Sequence, residues 1–514
     1  MTAISDYFRT ALLIDDRVEP DFEPSGQPDG SSGKPNDVHE EDLSDEPQPG
    51  LEAPPDDDQT PVHPSSLVSA FLAENIVCSI LQPSEDEEKL VAKARAWSQI
   101  TDLLILDWLL FGDDAKTVDM IKTIAESNEG RLNAIVVFTG ASSLSNVVER
   151  LKVDAGFEES GYFVLRRDST VVLVFGKPGI TLTDGEDSRT TDYADLPVRI
   201  CEDIEMLFQG LMPEFAFSGI NAIRESAPRV LAALSADLDP GALTHRALLP
   251  NPDDAALQFI RLMSSNLEQA LHDSQATDVW NIDAACDPLK QAMASGDPKA
   301  LAARLRRSPK PNADLQKLSD DELARTAIAS GLSSIGLGDS AITEAVDDLT
   351  VAFGDAANSK ESLAILMSAC DFSPVPPRLE LGTVLRDGDG NYWVCIQPLC
   401  DSVRLKEPRA FPLLPIIVNT AKPEAMIRSP DGDAIGIGFD WSFFKLAMPM
   451  FEPTGKVVAA QQDKSGWIFT DADQNPYRAV TRLRPEIAAR AAHGLASAAS
   501  RAGVDAPEWL RRLA

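Results

Sequence analysis

The sequence predicts an α/β N-terminal part built on a doubly wound parallel sheet, then an all-α region, then a small β-rich module with a C-terminal helix. Three observations support this. Apolar runs alternate with amphipathic segments over residues 11–212, and the apolar runs are nearly continuous, as in strands covered on both faces. Successive helical patterns fill residues 214–373. From residue 375 onward, turn residues separate short apolar runs. We therefore expect three domains, 1–212, 213–373 and 374–514.

Strands and helices alternate in order along the N-terminal part. The segment YFVLRR precedes the last strand and indicates a hairpin leading into it. The helix over 84–100 begins at a serine with acids in its first turn, which is typical of a helix start. Strands are predicted at 11–16, 76–82, 102–108, 132–140 and 171–179, and helices at 65–75, 84–100, 115–127 and 195–212.

An acidic segment separates the first strand from the first helix. Residues 19–64 are rich in proline, glycine, serine and acidic residues and contain almost no aliphatic side chains. Such a segment cannot bury enough apolar area to offset the entropy lost on ordering. We expect a disordered insertion, most simply a solvated linker.

Charge and composition exclude several classes of protein. The chain has 514 residues and a formal net charge of −35, which opposes direct nucleic-acid binding. It contains no apolar run long enough for a membrane span, and MTAISDYFRT lacks a signal-peptide core. The six cysteines form no CxxC pair, so neither a zinc site nor a disulfide framework is indicated. A cytoplasmic location fits best.

The later regions have clear local signals. DGDGNYW, at 387–393, lies between two apolar runs and predicts a hairpin turn rather than a calcium loop. The last helix has Pro485 at its start and Gly503 just past its end.

Acidic residues follow two of the predicted strands. Asp15 and Asp16 end the first strand, and Asp107 ends the third. In the flavodoxin-like strand order, 2-1-3-4-5, these two strands are neighbours, and ligands bind beyond the carboxyl ends of the strands. Three converging carboxylates would repel one another and raise one another's pKa. A divalent cation resolves this, and hard oxygen ligands favour Mg²⁺.

The remaining strand ends carry a hydroxyl and an ammonium group. Thr139 ends the fourth strand, and Lys177, followed by proline, ends the fifth. In this order, the five side chains resemble those of the receiver domain of two-component response regulators. The resemblance implies that Asp107 accepts a phosphoryl group from a histidine kinase. It also implies that Asp15, Asp16 and Asp107 hold Mg²⁺, and that Thr139 and Lys177 contact the phosphoryl oxygens.

The chain also departs from the family pattern. The acidic insertion leaves the sheet beside the metal site, bulky Trp108 follows the acceptor, and Arg166 and Arg167 precede the fifth strand, where they could reach a phosphoryl group. The resemblance covers about residues 8–212 and says nothing of the rest.

The resulting hypothesis is a signalling protein. Phosphorylation or metal binding at Asp107 would shift the helix at 195–212 and control a protein partner of the helical and C-terminal regions. By analogy alone, a bacterial stress or phage-defence setting is plausible. Two alternatives stay open: an inert receiver-fold scaffold, or an enzyme with its site in the β-rich region, where Asp440, Trp441 and Cys400 would be tested first.

Overall fold

The structure is a computed structural model, and it separates into two compact units, Met1–Gln291 and Ala292–Ala514. We describe each unit by itself. The predicted insertion 19–64, apart from Pro64, and Gly503 lie outside the described residues. Those residues are 4–18, 64–83, 89–127, 130–182, 185–249, 254–274, 276, 297–307, 317–330, 332, 339–352, 359–370, 372, 376–464 and 466–500.

A seven-stranded sheet forms the centre of the first unit. Its order is β2-β1-β3-β4-β7-β6-β5. The first five of these strands are parallel, and β6 and β5 extend the edge of β7 as an antiparallel hairpin. The predicted order, and the predicted hairpin before the last parallel strand, are therefore confirmed. The strands are β1 (Thr10–Ile14), β2 (Val77–Leu81), β3 (Leu103–Leu106), β4 (Asn133–Thr139), β5 (Glu158–Gly161), β6 (Val164–Arg167) and β7 (Thr170–Gly176).

Helices cover both faces of this sheet. One apolar core joins the sheet to α2, α3 and α4, and the other joins it to α1, α5 and the start of α6. Every residue of β3, β4 and β7 is buried, which explains their near-continuous apolar sequence. The helices are α1 (Pro64–Ala73), α2 (Leu90–Ser98), α3 (Ala115–Glu126), α4 (Leu144–Ala155), α5 (Leu196–Leu207) and α6 (Leu211–Ala233).

Helix α6 is fixed to the amino-terminal edge of the sheet. Arg224 donates hydrogen bonds to the Tyr7 carbonyl and, at 2.8 Å, to Asp102 Oδ1. Asp102 Oδ2 accepts from the backbone amides of Arg9 and Thr10 at 3.0 and 3.2 Å. Phe217 lies edge-on to Tyr7 with ring centroids 5.0 Å apart. The all-α region predicted from the sequence therefore begins with a helix that packs on the sheet. The three-domain division stays a prediction.

Two further helices complete the described part of the first unit. Helix α7 (Asp239–Leu248) and helix α8 (Asp254–Asp273) follow α6, and α8 packs beside α6. Within the described residues, no helix is long and apolar enough to cross a bilayer.

The second unit combines short helices with a nine-stranded sheet, as the sequence predicts. The order β13-β14-β12-β10-β9-β18-β17-β16 is antiparallel, and β8 pairs with β18. Helix α13 packs on one face through Ala488 and Ala491. The helices are α9 (Lys299–Arg306), α10 (Asp320–Ser330), α11 (Asp339–Ala352), α12 (Ser359–Ser368) and α13 (Pro485–Ser500). The strands are β8 (Ala369–Cys370), β9 (Thr383–Asp387), β10 (Tyr392–Cys395), β11 (Arg409–Ala410), β12 (Leu413–Val418), β13 (Ala425–Arg428), β14 (Ala434–Phe439), β15 (Met450–Phe451), β16 (Gln461–Asp463), β17 (Gly466–Thr470) and β18 (Pro476–Leu483).

The predicted turn after β9 is a hairpin turn. Asp387 Oδ1 accepts from the amides of Asp389 and Asn391 at 3.0 and 2.8 Å, and β9 pairs with β10. Gly390 takes the positive φ of +87° that such a turn requires.

The environments of the cysteines predict a strong difference in reactivity. Burial raises the pKa of the Cys78, Cys201 and Cys395 thiols to about 12, from an ordinary value of 9.0. Since the thiolate is the nucleophile, we expect iodoacetamide at pH 8 to alkylate these three about 1000-fold more slowly than an unperturbed thiol. Among the cysteines that the structure describes, exposed Cys400 should react first. Peptide mass spectrometry measures the order, which should vanish in urea; equal rates in the folded protein would contradict this prediction.

Candidate functional site

The acidic residues predicted from the sequence meet at the carboxyl edge of the sheet. Asp15 and Asp16 follow β1, and Asp107 follows β3. The two strands pair in register, with Ile14 opposite Leu106, so the chain leaves both strands at the same level. The amide of Asp107 donates to the Ile14 carbonyl at 3.0 Å, which extends this pairing to the site. Parallel pairing therefore brings together carboxylates that are 92 positions apart in the sequence.

Lys177 bridges two of these carboxylates. Its Nζ lies 2.7 Å from Asp15 Oδ2 and 2.9 Å from Asp107 Oδ1. The side chains of Lys177 and Asp15 are 3% and 0% exposed, and that of Asp107 is 9% exposed. An ammonium between two buried carboxylates partly offsets the cost of removing all three charges from water.

Burial and neighbouring charges perturb the protonation equilibria here. Burial raises the pKa of the Asp107 carboxyl to about 6, against the opposing effect of Lys177 and with the support of the Asp15 and Asp16 charges. Burial alone would lower the pKa of the Lys177 ammonium, but the carboxylates of Asp107 and Asp15 outweigh it and hold that pKa above its ordinary value. Three carboxylates therefore face two cations, Lys177 and Arg17, whose Nε lies 3.9 Å from Asp16 Oδ2, so the cluster keeps an excess of negative charge.

Asp16 has the feature expected of an incomplete ligand set. Its Oδ2 accepts from the amide of Phe111 at 3.0 Å. Its Oδ1 is buried and has no hydrogen-bond partner among the described residues. Carboxylate oxygens of Asp15, Asp16 and Asp107 all lie within 4.8 Å of one another. A buried, unpartnered carboxylate oxygen beside two more carboxylates matches the hard oxygen donors that Mg²⁺ prefers, so the residues fit this ion.

Thr139 lies at the end of the neighbouring strand. It is fully buried, and its Oγ1 accepts from the Ala141 amide at 3.0 Å. Its carbonyl accepts from the Lys177 amide at 2.7 Å, which ties the end of β4 to the residue that follows β7. The structure thus places all five predicted side chains at one edge of the sheet; their individual roles stay predictions.

A buried glutamate beside this edge was not found from the sequence. Glu186 accepts hydrogen bonds from the amides of Leu144 and Ser145 at 2.8 and 3.0 Å, so it caps the start of α4. It is 5% exposed and lies 41 residues after Ser145 in the sequence. A cap supplied from such a distance leaves no local sequence signal.

A buried ion pair holds the segment that follows Lys177. Arg189 Nη1 lies 2.7 Å from Asp203 Oδ2 on α5, and its guanidinium lies 4.0 Å from the centroid of the Phe175 ring. Its Nε also donates to the Val174 carbonyl at 3.1 Å. These contacts fasten α5 and the segment before it to the last parallel strand.

The structure locates two of the departures from the family pattern. Arg166 and Arg167 pair with Val171 and Thr170 at the start of β7, so they lie at the opposite end of the strand from Lys177 and do not reach the cluster. Bulky Trp108, which follows the acceptor, is 5% exposed and belongs to the apolar core.

The residues named for an enzymatic site in the second unit have separate structural surroundings. Asp440 pairs with Lys445 at 2.8 Å, and Cys400 is exposed in a short helical turn. Trp441 lies so close to Gly494 of α13 that a Cβ there would meet the indole. No contact described for these residues joins the three side chains into one site.

Comparison with known proteins gives one match. Residues 7–180 match a family model described as "Response receiver domain". No curated protein and no solved structure matches the chain. The matched segment contains all five side chains of the cluster and ends three residues after Lys177. Residues 7–180 are therefore a receiver domain, and the remainder of the chain is unrecognised.

Proposed function

We propose that this chain is a response-regulator-like signalling protein whose receiver domain accepts a phosphoryl group on Asp107. The observation that carries the proposal is the buried cluster in which Lys177 Nζ contacts both Asp15 and Asp107 while Asp16 Oδ1 has no partner among the described residues. A structural ion pair alone has no need of a third, partly unsatisfied carboxylate.

Each residue of the cluster has a chemical task in this proposal. An Asp107 carboxylate oxygen forms a bond to the phosphorus of the donor. The bond from that phosphorus to the donor's leaving atom breaks, and the leaving group keeps the electron pair. Lys177, already 2.9 Å from Asp107, would contact the transferred group, and the Thr139 hydroxyl would donate a hydrogen bond to it.

The metal would be held by Asp15, Asp16 and Asp107. Bound there, Mg²⁺ would supply positive charge against the phosphoryl oxygens. The partner that donates the phosphoryl group would be a histidine kinase, and the signal would pass to a protein partner of residues 213–514. A stress-response or phage-defence setting rests on analogy alone and adds nothing to this proposal.

Phosphorylation can reach α6 through β3. Asp107 directly follows this strand, while Asp102 just before it holds α6 through Arg224. A shift of Asp107 at the carboxyl end of β3 would occur only one short strand away from Asp102, which anchors α6. The residues of β3 between them are all buried.

A phosphodonor experiment tests the proposal. We expect the full chain, incubated with Mg²⁺ and acetyl phosphate, to gain one phosphoryl group by intact mass, and expect Asp107→Asn to gain none. Asp113→Asn is the matched control, because Asp113 is an exposed acid in the same loop. Phosphorylation of the Asp107→Asn variant would show that another residue accepts the phosphoryl group. If the wild type binds Mg²⁺ but never gains the group, the domain is an inert scaffold and the proposal fails.

A further inference from the structure

A cleft opens at the amino-terminal end of the sheet, away from the edge that carries the acidic cluster. It lies where α2 and α3 end and β4 begins, whereas Thr139 of the cluster is the last residue of β4. Its volume is about 560 Å³, which is within the range of small-molecule sites. The residues that line it include Arg95, Ser98, Ser127, Arg131 and Asn133. No role proposed above uses any of these side chains.

Asn133 lines this cleft with an unused hydrogen-bond acceptor. It is the first residue of β4, and alternation along the strand places it on the same face as Ile135 and Val137, which pack in the core with α2 and α3. Asn133 is 6% exposed, and its Oδ1 is buried with no hydrogen-bond partner among the described residues. Burying a polar atom without a partner costs free energy, so a donor from a bound molecule would stabilise this site.

Two serine oxygens extend this set of acceptors. The hydroxyl of Ser98, the last residue of α2, donates to the Arg95 carbonyl at 2.9 Å, and that of Ser127, which follows α3, donates to the Ile124 carbonyl at 3.2 Å. Because both hydroxyl protons are used within the helix ends, the serine oxygens can only accept hydrogen bonds from a ligand. The carboxyl ends of helices also attract positive charge. The inner part of the cleft therefore favours a cationic donor such as an ammonium group.

Arg95 and Arg131 give the rim of the cleft the opposite preference. Both residues are exposed, and neither guanidinium forms an ion pair with a described residue. The described lining contains no acidic residue, although the chain has a formal net charge of −35. A guanidinium matches the planar geometry of a carboxylate and can bind it through two parallel hydrogen bonds. The rim therefore favours carboxylates, while the inner oxygens favour an ammonium group.

We propose that this cleft binds a free acidic amino acid. The ammonium group of the ligand would donate to Asn133 Oδ1 and to the serine oxygens, and each of its two carboxylates would meet one arginine. A dicarboxylate without an amino group would leave the inner oxygens without a donor, and a diamine would leave both arginines without an anion. The proposal does not depend on phosphorylation of Asp107.

Isothermal titration calorimetry of the full chain, without phosphodonor and Mg²⁺, tests this inference. The probes are two pairs that differ only in the amino group, L-aspartate with succinate and L-glutamate with glutarate. Putrescine supplies ammonium groups alone, and glycerol 3-phosphate supplies hydroxyl donors with a different anion. We expect the tighter-binding amino acid to have a dissociation constant at least about 10-fold below those of its partner without the amino group, of putrescine and of glycerol 3-phosphate.

Variants of the lining residues assign the binding to this cleft. The double variant Arg95→Gln, Arg131→Gln should raise the dissociation constant of the amino acid at least about 100-fold, because both charge-assisted contacts are lost. The matched control, Arg229→Gln, Arg261→Gln, removes two exposed arginines from α6 and α8 and should bind as the wild type does. Asn133→Ala should lower the preference for the amino acid over its partner without the amino group by about 10-fold, whereas a general loss of structure would weaken both ligands alike.

Four results would overturn the inference. The first is the absence of saturable binding by either amino acid. The second is equally tight binding of succinate, glutarate or glycerol 3-phosphate, since an anion alone would then suffice. The third is unchanged binding in the Arg95 and Arg131 double variant, which would place the ligand elsewhere on the chain. The fourth is an equal loss of binding in the Arg229 and Arg261 control. Circular dichroism verifies that the arginine variants, all at exposed positions, keep their helices.

Discussion

Lys177→Met is expected to lower the free energy of unfolding of the first unit by about 3 to 5 kcal/mol at neutral pH without divalent cations. The substitution keeps an unbranched side chain, shorter by one atom, and removes the charge that lies 2.7 Å from Asp15 and 2.9 Å from Asp107. Two buried carboxylates would then face each other without the ammonium between them, while Arg17 lies 3.9 Å from Asp16 Oδ2. Urea unfolding followed by circular dichroism measures the loss.

Lys152→Met is the control for this prediction. Lys152 makes only surface ion pairs, with Glu149 and Glu159, and is 37% exposed, so its loss should cost less than about 1 kcal/mol. Mg²⁺ should then stabilise Lys177→Met more than it stabilises the wild type, because in the variant it meets carboxylates with no competing ammonium. The prediction would be contradicted if Lys177→Met and Lys152→Met lowered the free energy of unfolding equally, or if Mg²⁺ stabilised Lys177→Met and the wild type equally.

A fragment that ends at residue 180, where the family match ends, is expected not to fold, whereas one that ends at residue 234 is expected to fold. The shorter fragment lacks Leu196, Ile200, Ile204 and Phe217, all buried in the core on one face of the sheet. At about 1.5 to 3 kcal/mol for each side chain, their loss is comparable to the whole stability of a domain. It also lacks Arg189 and its buried partner Asp203.

The dispersion of amide signals in proton NMR spectra distinguishes the two fragments. We expect resolved signals from the longer fragment and collapsed or broadened signals from the shorter one. Ile204→Ala in the longer fragment is an intermediate control and should fold with a stability lowered by about 2 to 5 kcal/mol. A well-folded shorter fragment would show that α5 and α6 are accessories and do not complete the core.

The parallel sheet and its acidic edge could be predicted because parallel strands impose strong local rules. Thr139 ends an apolar strand, and Asp15, Asp16, Asp107 and Lys177 lie within two residues after one, so strand order alone brings them to one edge. The two hairpins also have local sequence signals. The segment YFVLRR precedes β7, with which β6 pairs, and turn residues separate β9 from β10.

Other features depend on pairs with no local signature. The Glu186 cap of α4 and the anchoring of α6 through Arg224 and Asp102 join segments 41 and 122 residues apart. An acid in a polar loop, or an arginine on an amphipathic helix, has the same sequence appearance whether it is solvated or buried against a partner. Only the assembled fold decides between the two.

The β5–β6 hairpin has a consequence for which peptides can join this sheet. It covers the flank of β7 and presents a strand of only four residues, with Glu158 and Glu159 exposed, as the outer border. A short, acidic border strand discourages the addition of a foreign strand. The opposite border, β2, pairs only with β1 in the described sheet and leaves Val77 61% exposed. A ligand that recognises the receiver by β-augmentation would therefore have to dock along β2, beside the strand that carries the paired acids.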